Sequence, residues 1–474
     1  MSDPRLLRRA ADLAAEFLDT LPSRRVFPDV ELESLRAAMG GPLPDQGQDP
    51  AAVVEDLAAA SEPGVVATAG PRYFGFVVGG SQPAALAADW LASAWDQNAG
   101  LYVLSPAAAV TEEVAAAWLI ELFGLPEGTS VGFTTGATMA NFTCLAAARH
   151  AVLQRDGWNV EEQGLFGAPE IHVVVGDEAH VTIFASLQML GLGRSRVHRV
   201  PTDDQGRMRA DALRSTLAGL PSGPTVVCAQ AGNVNTGAFD PLEEIGVLAR
   251  GRGAWLHVDG AFGLWAGASP AFRALLVGVA EADSWTTDSH KWLNVPHDSG
   301  LAFVRDPAPH HDAMTLGAAY YVETAGAERD SYNWVPESSR RARGFAVYAA
   351  LRALGRSGVA ELIERCSRLA RRMADRLRKE PGVEILNDVV LNQVLVRFSP
   401  PGSGPGDAAA ADDYTRAVIA AVQRDGTCWL SGTTWHGVAA VRVSVSNWST
   451  TEADIDVSAE AILRCAREVA SVPA

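Results

Sequence analysis

The sequence predicts an α/β fold with a mostly parallel sheet in a large domain, followed by a smaller C-terminal α/β domain. Between about residues 81 and 350, short apolar runs alternate with helical segments rich in alanine and leucine. The runs read SVGFTT, IHVVVG, TVVCAQA, AWLHVD and GLAFVRD. Strands that alternate with helices are typical of parallel sheets covered by helices, and such sheets bind ligands at the carboxyl ends of their strands. We therefore expect functional residues just after these runs.

The pattern divides the chain into three segments. Residues 1–80 begin with an amphipathic helix, in which apolar residues recur at helical spacing from Leu6 to Leu18. This segment is too small to form a core, so we expect it to pack on another domain or subunit. Residues 81–350 form the large domain, and residues 351–474 form the small one. Within the small domain, the tract SPPGSGPGDAAAADD from Ser399 to Asp413 is predicted to be an exposed loop.

Composition excludes several classes of function. The chain has 56 acidic and 39 basic residues, which gives a net charge of −17 and argues against a nucleic-acid partner. We find no run of about 20 apolar residues, so no membrane span is expected. The five cysteines are odd in number and lack a CxxC pair, which favours reduced thiols in the cytoplasm and no metal site. A small-molecule substrate is therefore expected.

Lysine is rare in this chain. Of 39 lysines and arginines only two are lysines, Lys379 and the Lys291 of DSHKWLNVP. Arginine can replace lysine as a surface cation, but it cannot form a Schiff base. Lys291 is therefore a candidate for covalent chemistry with an aldehyde, and chance retention of one lysine is the alternative.

Three other features follow predicted strands. In TTGATMANF, residues Gly136, Ala137 and Thr138 lead from a strand into a helix, where free backbone N–H groups could hold a phosphate. His180 follows IHVVVG, and Asp259 ends AWLHVD. Each feature alone has an ordinary structural explanation: a tight turn, a surface histidine, or a paired buried carboxylate.

Together with Lys291, these features predict a site for pyridoxal 5′-phosphate. This cofactor needs an amine for its aldehyde, a phosphate cradle, a carboxylate that keeps the pyridine nitrogen protonated, and a flat group against its ring. Lys291, the Gly136 turn, Asp259 and His180 would meet these needs in turn. The set is much more specific than its members.

At these residues the chain resembles the group II pyridoxal-phosphate-dependent amino acid decarboxylases, which include aromatic-L-amino-acid, histidine and glutamate decarboxylases. HVDGA is similar to the family motif HVDAA, and HKWL is similar to the segment around the family's cofactor-binding lysine. VFPDVE, YFGFVVGG, SPAAAVTEEV and RRARGFAVYAALRALG also resemble family segments, in the same order. The resemblance implies a fold-type I enzyme similar to aspartate aminotransferase. It also implies a homodimer with active sites at the subunit interface, in which the N-terminal segment packs across the dimer.

The resemblance assigns roles to residues on the lysine side of the site. Lys291 would form the Schiff base with the cofactor, and His290 would contact the phosphate or assist proton movement. Asp259 would pair with the pyridine nitrogen, and Ala261 would lie under the ring.

It also assigns residues to the other ring face and to the phosphate. His180 would stack on the ring and touch the substrate carboxylate, while Ala137 and Thr138 would bind the phosphate. The family threonine near the cofactor hydroxyl is replaced by Val234, so Asn233 or Asn235 would substitute for it.

Three neighbouring tyrosines are candidates for the proton donor. DSYNWVPESSRR is similar to the family's mobile loop, whose tyrosine protonates the carbanion after carbon dioxide leaves. Tyr332 is the matching residue, with Tyr320 and Tyr321 close by and a half-buried structural tyrosine as the alternative.

The predicted function is decarboxylation of an L-amino acid, with an aromatic amino acid as the expected substrate, to give an amine and carbon dioxide. One alternative is another reaction of the same fold type, such as transamination or carbon–carbon lyase chemistry, for which Arg442 could bind a carboxylate. The other is a non-catalytic α/β binding protein.

Overall fold

The computed structural model describes residues 4–315, 328–402 and 407–471. They form two compact units. The large unit contains Gly79–Arg368 and Asn387–Gln393, and the small unit contains Met1–Val78, Leu369–Leu386 and Val394–Ala474. Residues 1–78 thus belong to the same unit as most of the C-terminal residues.

The small unit begins with three helices: α1 Pro4–Thr20, α2 Leu32–Met39 and α3 Pro50–Ser61. The helix predicted from Leu6 to Leu18 is α1. In the described part of the chain, none of the three helices contains a buried residue. Their apolar side chains therefore remain accessible in a single copy of the chain.

The large unit is built on a seven-stranded sheet. The strands are β1 Ser130–Thr134, β2 His172–Gly176, β3 His198–Val200, β4 Thr225–Gln230, β5 Trp255–Asp259, β6 Ser284–Asp288 and β7 Gly300–Val304. They are arranged in the order β1-β7-β6-β5-β4-β2-β3. All neighbouring pairs are parallel except those of β7, which runs antiparallel to β1 and β6. The predicted mostly parallel α/β sheet is confirmed.

Burial explains the continuous apolar runs that predicted these strands. Every residue of β1, β2, β4, β5, β6 and β7 is buried. A sheet covered on both faces selects continuous apolar sequence instead of alternation. The short β3 lies at the edge, next to β2, and has one exposed and one half-buried residue, so its sequence gives a weaker signal.

Helices cover this sheet. They are α4 Pro83–Trp95, α5 Pro106–Phe123, α6 Ala137–Arg155, α7 Val160–Gln163, α8 Val181–Met189, α9 Ala210–Gly219, α10 Leu242–Arg252 and α11 Pro307–Met314. The long α12, Gly344–Leu377, is kinked at Gly355, where φ is 63°. Helix α6 contributes to the core on most of its circumference, as expected for a central helix.

The small unit also contains a four-stranded sheet in the order β10-β11-β9-β8. Its elements are β8 Val383–Ile385, β9 Gln393–Phe398, α13 Ala408–Asp425, β10 Ser431–Trp435, β11 Val438–Ser444 and α14 Glu452–Ser471. The loop predicted from Ser399 to Asp413 is too long, because α13 begins at Ala408. Asp407 caps α13 by accepting the N–H of Ala410 at 3.3 Å, and the alanines that follow are strong helix formers.

Across the described ranges, no helix combines the length and the apolar character of a membrane span.

Candidate active site

The strand-end features converge on one cavity of about 360 Å³ in the large unit. Its lining includes eight of the predicted site residues: Gly136, Ala137, Thr138, His180, Asp259, Ala261, His290 and Lys291. The remaining lining residues are Thr135, Thr182, Gln230, Gly232, Val234, Phe262 and Asp288. Residues far apart in sequence are therefore brought to the carboxyl edge of the sheet.

One end of the cavity is the N-terminus of α6. Gly136 precedes the helix and supplies no side-chain cap. Gly300 of β7 crosses Gly136 so closely that a Cβ at residue 300 would lie 2.5 Å from the Gly136 Cα. Two glycines thus allow the backbones to approach at the N-terminus of α6, where an anion is favoured.

Lys291 lies in the turn after β6. Its Nζ is 3.0 Å from Oδ2 of Asp288, the last residue of that strand. Oδ1 of Asp288 accepts the backbone N–H of Ala137 at 2.6 Å. Asp288 is only 2% exposed, so this carboxylate links the lysine to the start of α6 within the protein interior.

His290 is held in the neutral form. Its Nε2 is 3.7 Å from Oδ2 of Asp288, and its ring stacks on His297 with 4.2 Å between centroids. Burial lowers the pKa of His290 to about 4, against the smaller opposing effect of Asp288. The buried Nδ1 has no hydrogen-bond partner among the residues that the structure describes.

Asp259 is fixed by two donors. Its Oδ1 accepts the N–H of Ala261 at 3.1 Å, and its Oδ2 accepts Nδ2 of Asn141 at 3.1 Å. Asp259 is 4% exposed, which makes the partners necessary for a buried charge. Ala261, next to it in the lining, has a small side chain that leaves room for a flat group.

Asn141 of α6 also connects Asp259 to a buried histidine. Its Oδ1 lies 2.9 Å from Nε2 of His257, whose Nδ1 lies 2.9 Å from Oγ of Ser284. An amide oxygen only accepts, so Nε2 carries the proton and Nδ1 accepts from the serine. Burial lowers the pKa of His257 to about 4, which is consistent with a neutral ring.

His180 caps α8. Its Nδ1 accepts the Thr182 N–H at 3.4 Å and lies 2.9 Å from Oγ1 of Thr182. Asn141 donates its second amide hydrogen to the same Oγ1 at 3.2 Å. Because Nδ1 is an acceptor, a neutral His180 carries its proton on Nε2. The imidazole is thereby oriented by the same amide that holds Asp259.

Asn235 lies outside the lining, and Val234 takes that place. The backbone N–H of Asn235 donates to Oδ1 of Asn233 at 2.8 Å, in a buried turn after β4. The turn therefore presents the apolar side chain of Val234 to the cavity, while Oδ1 of Asn233 accepts backbone N–H groups within the turn.

Tyr332 also lies outside the lining. It is 2% exposed in a short 3₁₀ helix, Ser331–Trp334, and its N–H donates to the Gly100 carbonyl at 2.9 Å. Tyr320 and Tyr321 lie outside the described residues. The predicted proton donor is therefore packed in the interior and is not part of the cavity lining of a single copy.

Several lining residues were missed in the sequence. Asp288 ends a buried strand, the same signal that identified Asp259. Gln230 ends β4 and pairs in register with Asp259. Asn141, which is not a lining residue but holds Asp259, had no such signal, because it lies inside a helix and its partners come from β5 and α8.

Comparison with known protein families identifies the family to which this chain belongs. Residues 33–399, well over half of the chain, match the model of the pyridoxal-dependent decarboxylase conserved domain. The chain belongs to the pyridoxal-dependent decarboxylase family. The family identified by resemblance is confirmed, and with it a pyridoxal-phosphate-dependent amino acid decarboxylase of fold-type I.

Individual relatives are similar to this decarboxylase over most of its length. The aromatic-L-amino-acid decarboxylase of Bacillus atrophaeus is 26% identical over 451 residues, which cover 94% of this chain and 91% of the relative. The mouse enzyme of the same name is 30% identical over 409 residues, covering 82% and 84%. The crystal structure of Oryza sativa TDC with PLP and tryptamine superposes with a TM-score of 0.91 at 25% identity, covering 98% and 97%.

The residues of the decarboxylase cavity fit pyridoxal phosphate. Lys291 would provide the amine, and Asp259 would provide a buried carboxylate for the ring nitrogen. The N-terminus of α6 and the side chain of His290 would provide polar groups for the phosphate end. His180 and Ala261 would supply a flat side chain and a small one for the ring faces.

Proposed function

We propose that this decarboxylase removes the α-carboxylate of an aromatic L-amino acid and releases the corresponding amine and carbon dioxide. The observation that carries this proposal is the convergence of Lys291, Asp259 and His180 on one cavity. Each of these groups is held by a hydrogen bond or ion pair to a neighbour. The constellation supplies covalent attachment, charge stabilisation and orientation at one place.

The lining supports an apolar substrate side chain. Phe262, Val234 and Ala261 present apolar surface, and Lys291 is the one cation among the lining residues that the structure describes. An acidic side chain would need a second cation, because an unpaired buried carboxylate is costly. An aromatic ring can instead gain from contact with apolar and aromatic side chains.

Asp259 and Lys291 have distinct roles in the proposed mechanism. Pyridoxal phosphate, when bound, supplies a protonated ring that takes up the electron pair left by departing carbon dioxide. Asp259 would hold the proton on the ring nitrogen, since an adjacent anion favours the charged form of a base. Lys291 would hold the cofactor through Nζ and would yield this position to the substrate amine.

His180 selects the bond that breaks. Its Nε2–H would donate to the substrate carboxylate, since Nδ1 is the acceptor for Thr182. By fixing the direction of the substrate carboxylate, His180 would favour loss of carbon dioxide over loss of a proton. The hydrogen bonds of Thr182 and Asn141 fix the position of this imidazole.

We also propose Tyr332 as the residue that protonates the α-carbon. The similarity of its loop to the family segment supports this role, although Tyr332 is buried in the 3₁₀ helix and does not line the cavity of a single copy. Tyr332→Phe, Tyr320→Phe and Tyr321→Phe remove one hydroxyl each. The variant that lowers amine formation while cofactor absorbance is retained identifies the donor, and full activity in Tyr332→Phe rejects the proposed one.

Product analysis tests the proposed reaction. The loaded protein is incubated separately with tryptophan, tyrosine, phenylalanine, histidine, glutamate and aspartate, and carbon dioxide, amine and keto acid are measured. We expect amine and carbon dioxide in equal amounts, with aromatic substrates preferred. Keto acid without carbon dioxide would favour transamination, for which Arg442 is the candidate carboxylate ligand. Turnover of glutamate or aspartate alone would contradict the aromatic assignment.

We further propose a homodimer, on the basis of apolar side chains exposed on both units. In the small unit these include Leu7 (61% exposed), Leu32 (57%) and Leu57 (61%), and in the large unit Trp90 (42%) and Trp95 (50%). Large accessible apolar surfaces are typical of protein interfaces. Light scattering during size-exclusion chromatography is expected to give twice the mass of the chain, and a monomer at micromolar concentration would reject the dimer.

We also propose that the protein is located in the cytoplasm. All five cysteines are free thiols and all are buried, which suits a reducing compartment. Activity recovered with the cytoplasmic fraction of the source cells is expected, and recovery outside that fraction would contradict it.

A further inference from the structure

Asp288 occupies the place where the cofactor phosphate is expected. Its Oδ1 accepts the Ala137 N–H at 2.6 Å, and this is the first N–H of α6. The residue before the helix is Gly136, which has no side chain to cap it. The carboxylate that neutralises the helix N-terminus therefore comes from another strand, β6.

The other oxygen of Asp288 engages the amine of the site. Oδ2 lies 3.0 Å from Nζ of Lys291. The carboxylate thus contacts both of the groups that the cofactor must engage, the helix N-terminus through its phosphate and the lysine through its aldehyde. At 2% exposure, Asp288 is shielded from the water that would weaken these contacts.

Charge within the cavity makes this position unfavourable for a phosphate. Among the described lining residues there are two carboxylates, Asp259 and Asp288, and one cation, Lys291. A phosphate monoester carries about two negative charges at neutral pH. Placing it at the α6 N-terminus brings it close to the Asp288 carboxylate, and like charges repel strongly where water is excluded.

We propose, on the basis of the pyridoxal phosphate site proposed above, that Asp288 is a tethered anion that competes with the cofactor phosphate for the N-terminus of α6 and for Lys291. Loading then requires the carboxylate to yield its contacts. Asp288 weakens the hold on the phosphorylated cofactor and so determines how readily this decarboxylase exchanges it.

The test compares two aldehydes that differ only in the phosphate. Dissociation constants of pyridoxal 5′-phosphate and of pyridoxal are measured by absorbance titration of the full-length chain after its cofactor has been removed. The variant Asp288→Asn keeps the size of the side chain and an oxygen that can accept the Ala137 N–H, but it removes the charge. We expect the ratio of the pyridoxal constant to the pyridoxal phosphate constant to rise by about tenfold or more.

A matched control separates this effect from a general change of charge. Asp306 caps α11 by accepting the Ala308 N–H at 3.1 Å, and it does not belong to the cavity lining. Asp306→Asn therefore makes the same change at another helix N-terminus, and it is expected to leave the ratio unchanged. A second variant, Asp288→Ser, removes the charge with a shorter side chain and is expected to raise the ratio as Asp288→Asn does.

The outcomes distinguish this proposal from the assignment of the cofactor. If the unaltered chain binds neither aldehyde, the cofactor assignment fails. If it binds pyridoxal phosphate but the ratio is unchanged or lower in both Asp288 variants, Asp288 is a cap and not a competitor. Failure of both variants to fold would also overturn the proposal, because a side chain that the cofactor displaces cannot be indispensable to the fold.

Discussion

The side-chain amide of Asn141 donates a 3.1 Å hydrogen bond to the carboxylate of Asp259. The same amide donates to Thr182, the residue that orients His180, and accepts from His257. Asn141 is completely buried. One side chain therefore positions both the group expected at the ring nitrogen and the group expected at the ring face.

Asn141→Leu is expected to reduce kcat much more than it changes KM. The variant leaves Asp259, Thr182 and His257 each short of one partner, so its free energy of unfolding should also fall by about 1 to 3 kcal/mol. Asn141→Asp has the same shape but places a like charge beside Asp259, so we expect it to be more damaging than leucine. Steady-state kinetics and urea unfolding measure both effects. Equal kinetics for the leucine variant and the unaltered chain would show that Asp259 does not need this support.

Lys291→Arg should abolish turnover and the visible absorbance of lysine-bound cofactor. Arginine keeps the positive charge beside Asp288 but cannot condense with an aldehyde. The chain supplies its own control, because Lys379, the other lysine, is exposed. Lys379→Arg is expected to retain full activity. Borohydride reduction of the loaded protein followed by peptide mass spectrometry should tag Lys291 alone, and a tag on Lys379 would contradict the assignment.

Gly300→Ala should damage the phosphate end of the cavity. The added Cβ would lie 2.5 Å from the Gly136 Cα, so backbone must move, at a cost of about 1 to 3 kcal/mol. Affinity for pyridoxal phosphate is expected to fall with stability. In the control Gly219→Ala the new Cβ meets no atom within 4 Å, so stability and affinity should remain unchanged. Similar cofactor titrations for the two variants would show that the close crossing of β7 over Gly136 is dispensable.

Acid should destabilise this decarboxylase between about pH 6.5 and pH 4. Burial lowers the pKa of His257 and His290 to about 4 and that of His310 to about 3, from 6.5. In that range the unfolded chain binds protons that the folded chain does not, so stability is complete above pH 6.5 and is lost as pH falls. Each histidine contributes about 1 to 3 kcal/mol to this loss.

Two carboxyl groups act in the opposite direction, because burial raises the pKa of Asp240 to about 6 and also raises the pKa of Asp283. Their contribution to stability improves as pH falls through the raised pKa values. We expect the three histidines to outweigh these two carboxyl groups. Urea unfolding at several pH values measures the net slope, and His310→Gln, which lies outside the cavity lining, should reduce it by up to one proton. A stability that is constant or rises from pH 6.5 to pH 4.5 would contradict neutral buried histidines.

The sequence alone located those residues of the cavity lining that directly follow an apolar run. Lys291, Asp259, His180 and the Gly136 turn follow buried strands, and the shared geometry of parallel strands brings their ends together. Asp288 also ends a buried strand, but it was not predicted as a site residue, because attention fell on Lys291 in the same segment. A continuous apolar run predicts a buried strand. The residue that ends such a strand then lies at the ligand-binding edge of the sheet, which makes it a candidate for the site.

Contacts made across the sheet could not be inferred in this way. Asn141 lies in a helix and meets Asp259 at a separation of 118 residues, which no local pattern encodes. The sequence also placed Asn235 in the site, whereas turn geometry directs Val234 to the cavity. The helix α13 was partly assigned to a loop, because the Pro/Gly composition before it masked the propensity of the alanines at its start.

The hydrogen bond between Asp288 and Ala137 joins residues that are 151 positions apart in the sequence. Asp288 ends β6 and Ala137 follows β1, and β7 lies between these two strands in the sheet. A ribosome must therefore translate past Val304, the end of β7, before the two sides of the cradle can meet. Contacts of such long sequence separation form slowly, because a large loop must close first. Capture of the cofactor is then a late step in biogenesis, and a newly made chain that holds it has already completed its central sheet.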